Sequence, residues 1–266
     1  MLHKKIEMVV QGNIANLYTY ILDNTPEIDK DRMRPIIIIC PGGGYQSISD
    51  RESEPIALHF NSMGYHSCVL RYSVKPTEYP IALLQLASTI SYIRERDKEW
   101  NIDHNKIIVC GFSAGGHLAA NLGTMWNDPF LSEAIGVSKE QIKPNGMILS
   151  YPVITSGKFG HKESFANLLG SQYDEMVERL SLEKCVDINT VPAFIWHTVS
   201  DEIVPVENSL LLAEAMQKIN IPFELHIYPK GRHGLSLATE ETGDFAIQEE
   251  CQNWITMAGT WIKNLG

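Results

Sequence analysis

An apolar run, Ile107-Ile108-Val109-Cys110, breaks into Gly111-Phe112-Ser113-Ala114-Gly115 and continues through Gly116-His117-Leu118-Ala119-Ala120 in a helical pattern. A strand that turns this sharply into a helix forces its central residue into strained backbone geometry and needs small flanking residues. Ser113 is therefore expected to stand at the carboxyl end of a sheet strand. The N–H groups that open the helix, Ala114 first among them, would face its hydroxyl and could stabilise a developing oxyanion. Taken alone, G-x-S-x-G also fits a strand–glycine–helix turn with no chemistry, so the rest of the chain must decide between the two.

Upstream, four consecutive isoleucines, Ile36 to Ile39, lead into Cys40-Pro41-Gly42-Gly43-Gly44-Tyr45. This reads as a second buried strand ending in a glycine-rich turn whose main chain can approach a ligand closely. Its exposed main-chain N–H groups lie where the other half of an oxyanion site is built in hydrolases of the α/β class. A phosphate-cradling loop is the rival reading, but the segment lacks the Lys-Ser/Thr ending of a P-loop and the G-x-G-x-x-G spacing of a dinucleotide site.

Short β-rich runs at Ile36–Cys40, His66–Tyr72, Lys106–Cys110, Gly146–Ser150, Ala193–His197 and Phe223–Tyr228 alternate with longer periodic segments. That alternation predicts an α/β protein with a mostly parallel central sheet and helices on both faces. A helix is expected from about Ile81 to Arg96, where Leu83, Leu84, Ala87, Ile90 and Ile93 recur at helical spacing. Ser49-Asp50-Arg51-Glu52 fits a capping box before Ile56, and Pro205 could open a later helix. Met8–Val10 and Leu17–Tyr20, parted by Gly12-Asn13, suggest an antiparallel hairpin at a sheet edge. The chain is read as one domain over residues 1–266, with 151–190 either a short lid-like insertion or an ordinary crossover carrying surface helices near Ser164–Leu169 and Asp174–Leu180.

A chain of 266 residues with 44% hydrophobic content can bury a core without disulfides or metals. Its formal charge of −10 disfavours nucleic acid and anionic membranes as partners. The five cysteines, Cys40, Cys68, Cys110, Cys185 and Cys251, are widely spaced with no C-x-x-C pair, which argues against a disulfide scaffold or a zinc site. No apolar run reaches membrane-spanning length and no secretory leader pattern follows Met1, so a cytoplasmic location is expected. Homodimerisation is left open.

A serine hydroxyl is a weak nucleophile and needs an imidazole to take its proton and a carboxylate to orient that imidazole. After a strand–turn–helix serine, the acid and then the histidine follow in chain order, each on a loop leaving a strand. Asp201 follows the apolar run Val191–Thr198, with Glu202 as the neighbouring alternative. Of nine histidines, His197, His226 and His233 come late enough, and the first two lie inside strand-like runs. His233, in Lys230-Gly231-Arg232-His233-Gly234, is the expected base. His117, one helical turn beyond Ser113, is expected to pack behind the site.

Pro41-Gly42-Gly43-Gly44-Tyr45, Gly111 to Ala119, His197-Thr198-x-x-Asp201-x-x-Val204-Pro205 and His233-Gly234 together resemble the small α/β-hydrolase esterases. Within them, the chain resembles the acetyl-xylan esterase-like and feruloyl-esterase-like proteins related to the hormone-sensitive-lipase branch. The resemblance implies an α/β-hydrolase fold and carboxylic-ester hydrolysis through an acyl-enzyme, with no cofactor or metal. It places the nucleophile on Ser113, the base on His233, the acid on Asp201, and the oxyanion donors on Gly43, Gly44 and Ala114. A small acyl group, acetate on a sugar, is the first substrate it suggests. Tyr45 and Tyr151 are candidate substrate contacts near the strand ends, as is Trp196, for which core packing is the stronger expectation. One departure is Pro41, where related enzymes usually carry a loop-orienting His. An amidase or peptidase of the arylformamidase or prolyl-peptidase kind, and a non-catalytic binding protein on the same fold, remain as alternatives.

Overall fold

The computed structural model describes residues 1–266. Its eight strands are β1 (Leu2–Val10), β2 (Asn13–Ile21), β3 (Arg34–Cys40), β4 (His66–Arg71), β5 (Ile102–Phe112), β6 (Gly146–Ser150), β7 (Ala193–Thr198) and β8 (Phe223–Tyr228). They form one sheet in the order β1-β2-β4-β3-β5-β6-β7-β8. β1 and β2 pair antiparallel, β2 meets β4 antiparallel, and every pair from β4 to β8 is parallel. The expected edge hairpin is present, turned by Gln11 and Gly12, whose φ values of 47° and 78° suit a tight two-residue connection.

The pleat of β3 sends successive isoleucines to opposite faces, and both faces are covered. Ile36 and Ile38 join the core under α2 (Ile81–Arg94) and α3 (Ala114–Met125), while Ile37 and Ile39 pack with α1 (Glu54–Ser62) and the carboxyl-terminal helix Trp254–Asn264. All four are fully buried, each contributing about 1.5–3 kcal/mol of burial. This double cover explains why the central strands read as unbroken apolar runs.

The site is positioned by register. β3 and β5 are neighbours with Cys40 opposite Gly111, so the two glycine turns that follow them emerge side by side. The strand order reverses at β3, since its neighbours β4 and β5 are reached by crossovers in opposite directions along the sheet; crevices open at such switch points.

The capping box expected at Ser49–Glu52 does not form. Asp50–Glu52 is a single 3₁₀ turn, α1 begins at Glu54, and the Ser49 side chain makes no capping bond. Glu52 instead turns inward and is used elsewhere. Residues 151–190 hold a helix at Lys162–Leu169 and a short one at Tyr173–Met176, with 3₁₀ turns after each. The segment is tied to the glycine loop through Asn167 Nδ2, which donates to Gly44 O at 2.9 Å. All five cysteines are free thiols, and Cys40, Cys68 and Cys110 are packed within the sheet.

Candidate active site

Ser113 is the hinge between β5 and α3, with φ 54° and ψ −119°, a conformation that costs a non-glycine residue free energy and persists only where its surroundings over-determine it. Three main-chain hydrogen bonds do so: Ser113 N–H donates to Ser150 O at 3.0 Å, and Ser113 O accepts from His117 and Val153 at 3.1 Å each. Gly115 is required by close approach, because a Cβ there would lie 2.0 Å from Cys40 O and 2.4 Å from Pro41 O. The absence of that methyl lets the end of β3 lie directly against the first turn of α3.

The glycine loop is fixed at three points. Tyr72 OH donates to Pro41 O at 2.7 Å, Gly42 N–H donates to Glu52 Oε2 at 2.8 Å, and Gly44 O is held by Asn167. These contacts orient a loop that begins with Pro41 rather than histidine. Gly43, at φ 130°, occupies backbone space closed to side chains. The N–H groups of Gly43 and Gly44 donate to no other group of the chain. Ala114, at the first position of α3, has no preceding turn to donate to. The N–H groups of Gly43, Gly44 and Ala114 thus have no acceptor within the chain.

Ser113 Oγ lies 2.7 Å from His233 Nε2, and His233 Nδ1 lies 2.7 Å from Asp201 Oδ2. Asp201 follows β7 and His233 follows β8, on loops at the same edge as the elbow. The Asp201 carboxylate is fully buried. Burial opposes its ionisation, but hydrogen bonds from His197 and His233 and from the Val204 N–H hold it well below the usual carboxylate range. The arrangement can pass the Ser113 proton to Nε2 while a fixed carboxylate receives Nδ1–H. Glu202, the alternative acid, is exposed and forms no hydrogen bond or ion pair with His233, whose Nδ1 meets Asp201.

Of the other histidines, His197 braces the acid, with Nε2 at 2.9 Å from Val204 O and 3.3 Å from Asp201 Oδ2. His117 lies behind the elbow, its ring nitrogens 3.0 Å from Tyr45 OH and from Leu180 O, and burial pushes its pKa down to about 4. Trp196 is core, stacked on Trp254.

Tyr45 and Tyr151 correct the sequence expectation of substrate contacts. They are 2% and 1% exposed, and their hydroxyls are consumed internally, Tyr45 by His117 and Tyr151 by Glu52 at 2.7 Å. Each also has a positive φ, 56° for Tyr45 and 38° for Tyr151. Apart from Ser113 and His233, sequence reasoning missed the side chains that line the cleft. A cavity of about 570 Å³ over Ser113 is walled by Ser47, Asp50, Arg51, His161, Arg232 and His233, with only Ile48 and Ile203 apolar. Arg51 and Arg232 each place a guanidinium over the Phe245 ring, 5.3 and 4.9 Å from its centre. No three His, Cys, Asp or Glu side chains converge as metal ligands.

The BD-FAE family model matches residues 23–216. The chain belongs to the BD-FAE family. This BD-FAE chain is 37% identical over 240 residues to endo-1,4-beta-xylanase B of Butyrivibrio fibrisolvens, covering 86% of this chain and 36% of that one. It is 30% identical over 263 residues to an acetylxylan esterase of Xylanibacter ruminicola, covering 94% and 52%. The chain therefore spans between about a third and a half of the length of these two relatives. Among solved structures it is similar to an acetyl ester-xyloside bifunctional hydrolase from Caldicellulosiruptor lactoaceticus, at TM-score 0.80 and 41% identity over 96% of this chain and 89% of that one. The fold is that of an α/β-hydrolase.

Proposed function

We propose that the protein is a carboxylic-ester hydrolase that removes short acyl groups, acetyl first, from sugar hydroxyls. The observation that carries this reading is the line Ser113 Oγ, His233 Nε2, His233 Nδ1, Asp201 Oδ2, with 2.7 Å at each hydrogen bond. Ser113 Oγ attacks the acyl carbon as its proton passes to His233 Nε2. The carbonyl oxygen, now negative, accepts hydrogen bonds from the N–H groups of Gly43, Gly44 and Ala114. His233 returns the proton to the departing alkoxide, leaving an acyl-Ser113 ester. Water then attacks the acyl carbon as its proton passes to His233; the bond from that carbon to Ser113 Oγ breaks, His233 returns the proton to Oγ, and the carboxylic acid leaves.

The polar cleft wall supports a hydroxyl-rich alcohol over a long apolar one. The xylan-related names of the relatives point the same way. The test is to compare initial rates on p-nitrophenyl acetate and p-nitrophenyl octanoate, and acetate release from acetylated xylo-oligosaccharides, for wild type and folded Ser113→Ala. Serine-dependent turnover that favours acetate supports the proposal. Turnover of a matched amide in preference to the ester would move the assignment to an amidase, and no serine-dependent reaction on any of them would leave a binding protein.

A further inference from the structure

Two carboxylates are buried at this site, and the mechanism above uses one. Asp201 meets His233; Glu52, 2% exposed, meets neither serine nor histidine and has no cationic partner. Burying an unpaired carboxylate is costly unless hydrogen bonds replace its hydration, and here both oxygens are occupied. Oε2 accepts from Gly42 N–H at 2.8 Å and Oε1 accepts from Tyr151 O–H at 2.7 Å. Tyr151 OH in turn accepts from Ser236 N–H at 2.8 Å.

These partners support the two halves of the site. Gly42 begins the run that carries the Gly43 and Gly44 donors, and it has no slack: a Cβ on it would lie 2.8 Å from Glu52 Oε2, 2.9 Å from Phe112 O and 3.0 Å from Ser113 Cβ. Ser236 lies three residues beyond His233 on the same loop, and the Tyr151 ring meets the His233 ring edge-on at 5.0 Å and 70°. Glu52 is thus bonded on one oxygen to the loop bearing the oxyanion donors and, through one phenol, to the loop bearing the base.

We propose that Glu52 is a positioning residue for the ester hydrolysis, setting the glycine loop and the His233 loop relative to each other. This rests on the hydrolase reading above. The side chain must be a carboxylate because both its partners donate. A glutamine would have to turn its NH₂ toward either Gly42 N–H or Tyr151 O–H. The phenol cannot simply reverse, since its own proton would then be buried without an acceptor.

The experiment compares wild type, Glu52→Gln, Tyr151→Phe and the double variant, reading kcat and KM on p-nitrophenyl acetate, amide hydrogen exchange and thermal melting. For Glu52→Gln the expected result is a kcat lower by about 10- to 100-fold, with KM within about threefold. Exchange should quicken in residues 41–45 and 233–236 while the central strands keep wild-type protection. In the double variant the conflicting hydroxyl is gone, so kcat should return to the Tyr151→Phe level. A folded Glu52→Gln with wild-type kcat and wild-type loop exchange overturns the proposal, as does a kcat loss accompanied by faster exchange throughout the sheet, which would make Glu52 only a stability element. Should Glu52→Gln not fold, Tyr151→Phe carries the test: unchanged kcat and unchanged exchange at 233–236 overturn it. If wild type shows no Ser113-dependent ester turnover, the hydrolase reading fails instead, and the exchange data still report whether Glu52 couples the two loops.

Discussion

His233 Nδ1 and His197 Nε2 approach the same oxygen of Asp201, at 2.7 and 3.3 Å, while Oδ1 accepts the N–H groups of Ile203 and Val204 at 3.0 and 2.9 Å. The acid is therefore locked from both sides, and only the carboxylate form satisfies every donor around it.

Asp201→Asn should leave the fold intact and abolish most activity. An amide nitrogen facing His233 Nδ1 would favour the opposite ring tautomer, which puts a proton on the nitrogen that must accept from Ser113. A fall in kcat of about 10⁴-fold is expected, measured on p-nitrophenyl acetate beside a thermal melt. Retention of more than a tenth of the rate would count against Asp201 as the orienting acid.

Tyr45→Phe should behave as a core substitution and not as a substrate-contact one. The lost hydroxyl leaves a His117 nitrogen without its partner, costing about 1–3 kcal/mol in urea unfolding. KM for acetylated xylo-oligosaccharides should stay within about twofold of wild type, because uniform substrate binding is not removed. A selective rise in KM at unchanged stability would restore Tyr45 to the substrate site.

Gly115→Ala should prevent the two halves of the oxyanion site from closing together. The new methyl would overlap Cys40 O and Pro41 O, both main-chain atoms in a buried strand end that cannot give way cheaply. Destabilisation of at least about 3 kcal/mol is expected, read from urea unfolding, together with loss of esterase activity. By contrast, Gly136→Ala, where nothing lies within 4 Å of the added Cβ, should cost far less, through its φ of 71° alone.

Stability should fall on mild acidification. Burial pushes His117 and His66 down to about 4 in the folded chain, against about 6.5 for an unfolded histidine. Between those values the unfolded state binds more protons, so unfolding free energy decreases as pH drops from about 6.5 toward 4, with a slope of at most about 1.4 kcal/mol per pH unit for each residue. Asp201, depressed in the fold, contributes stability above the ordinary carboxylate value and loses it only at lower pH still. Urea midpoints at a series of pH values check this, and His117→Gln should flatten the slope. An unaltered slope in that variant would mean His117 is not buried neutral.

Much of the candidate site was legible because its residues sit just beyond strand ends, and strand ends announce themselves. The runs Gly146–Ser150 and Phe223–Tyr228 are strands over those same residues, and Ala193–His197 is one residue short of its strand. Asp201 and His233 could be chosen because each follows such a run by a few residues. The cleft wall was not legible in the same way. Arg51, His161 and Arg232 come from three distant segments with no shared spacing, and meet only across the finished sheet.

Local pattern misled where a side chain had two uses for its polar atoms. Ser49–Glu52 carries the spacing of a capping box, yet Glu52 finds stronger partners in Gly42 and Tyr151, which no window of sequence around it contains. Tyr45 and Tyr151 stand at strand ends, where aromatic rings often face a ligand. Here both rings are buried, and their hydroxyls bond to His117 and Glu52.

By itself the sequence determined the α/β class, the succession of strands along the chain and the choice of Ser113, Asp201 and His233 as candidate nucleophile, acid and base, because hydrophobic period and glycine placement act over a few residues and leave their mark there. Only the tertiary structure decided which glycine N–H groups are free, which aromatic rings are core, and that Glu52 bridges the two loops. Those depend on hydrogen-bond partners far apart in the chain, and a buried polar atom takes whichever donor or acceptor the completed packing brings within about 3 Å of it.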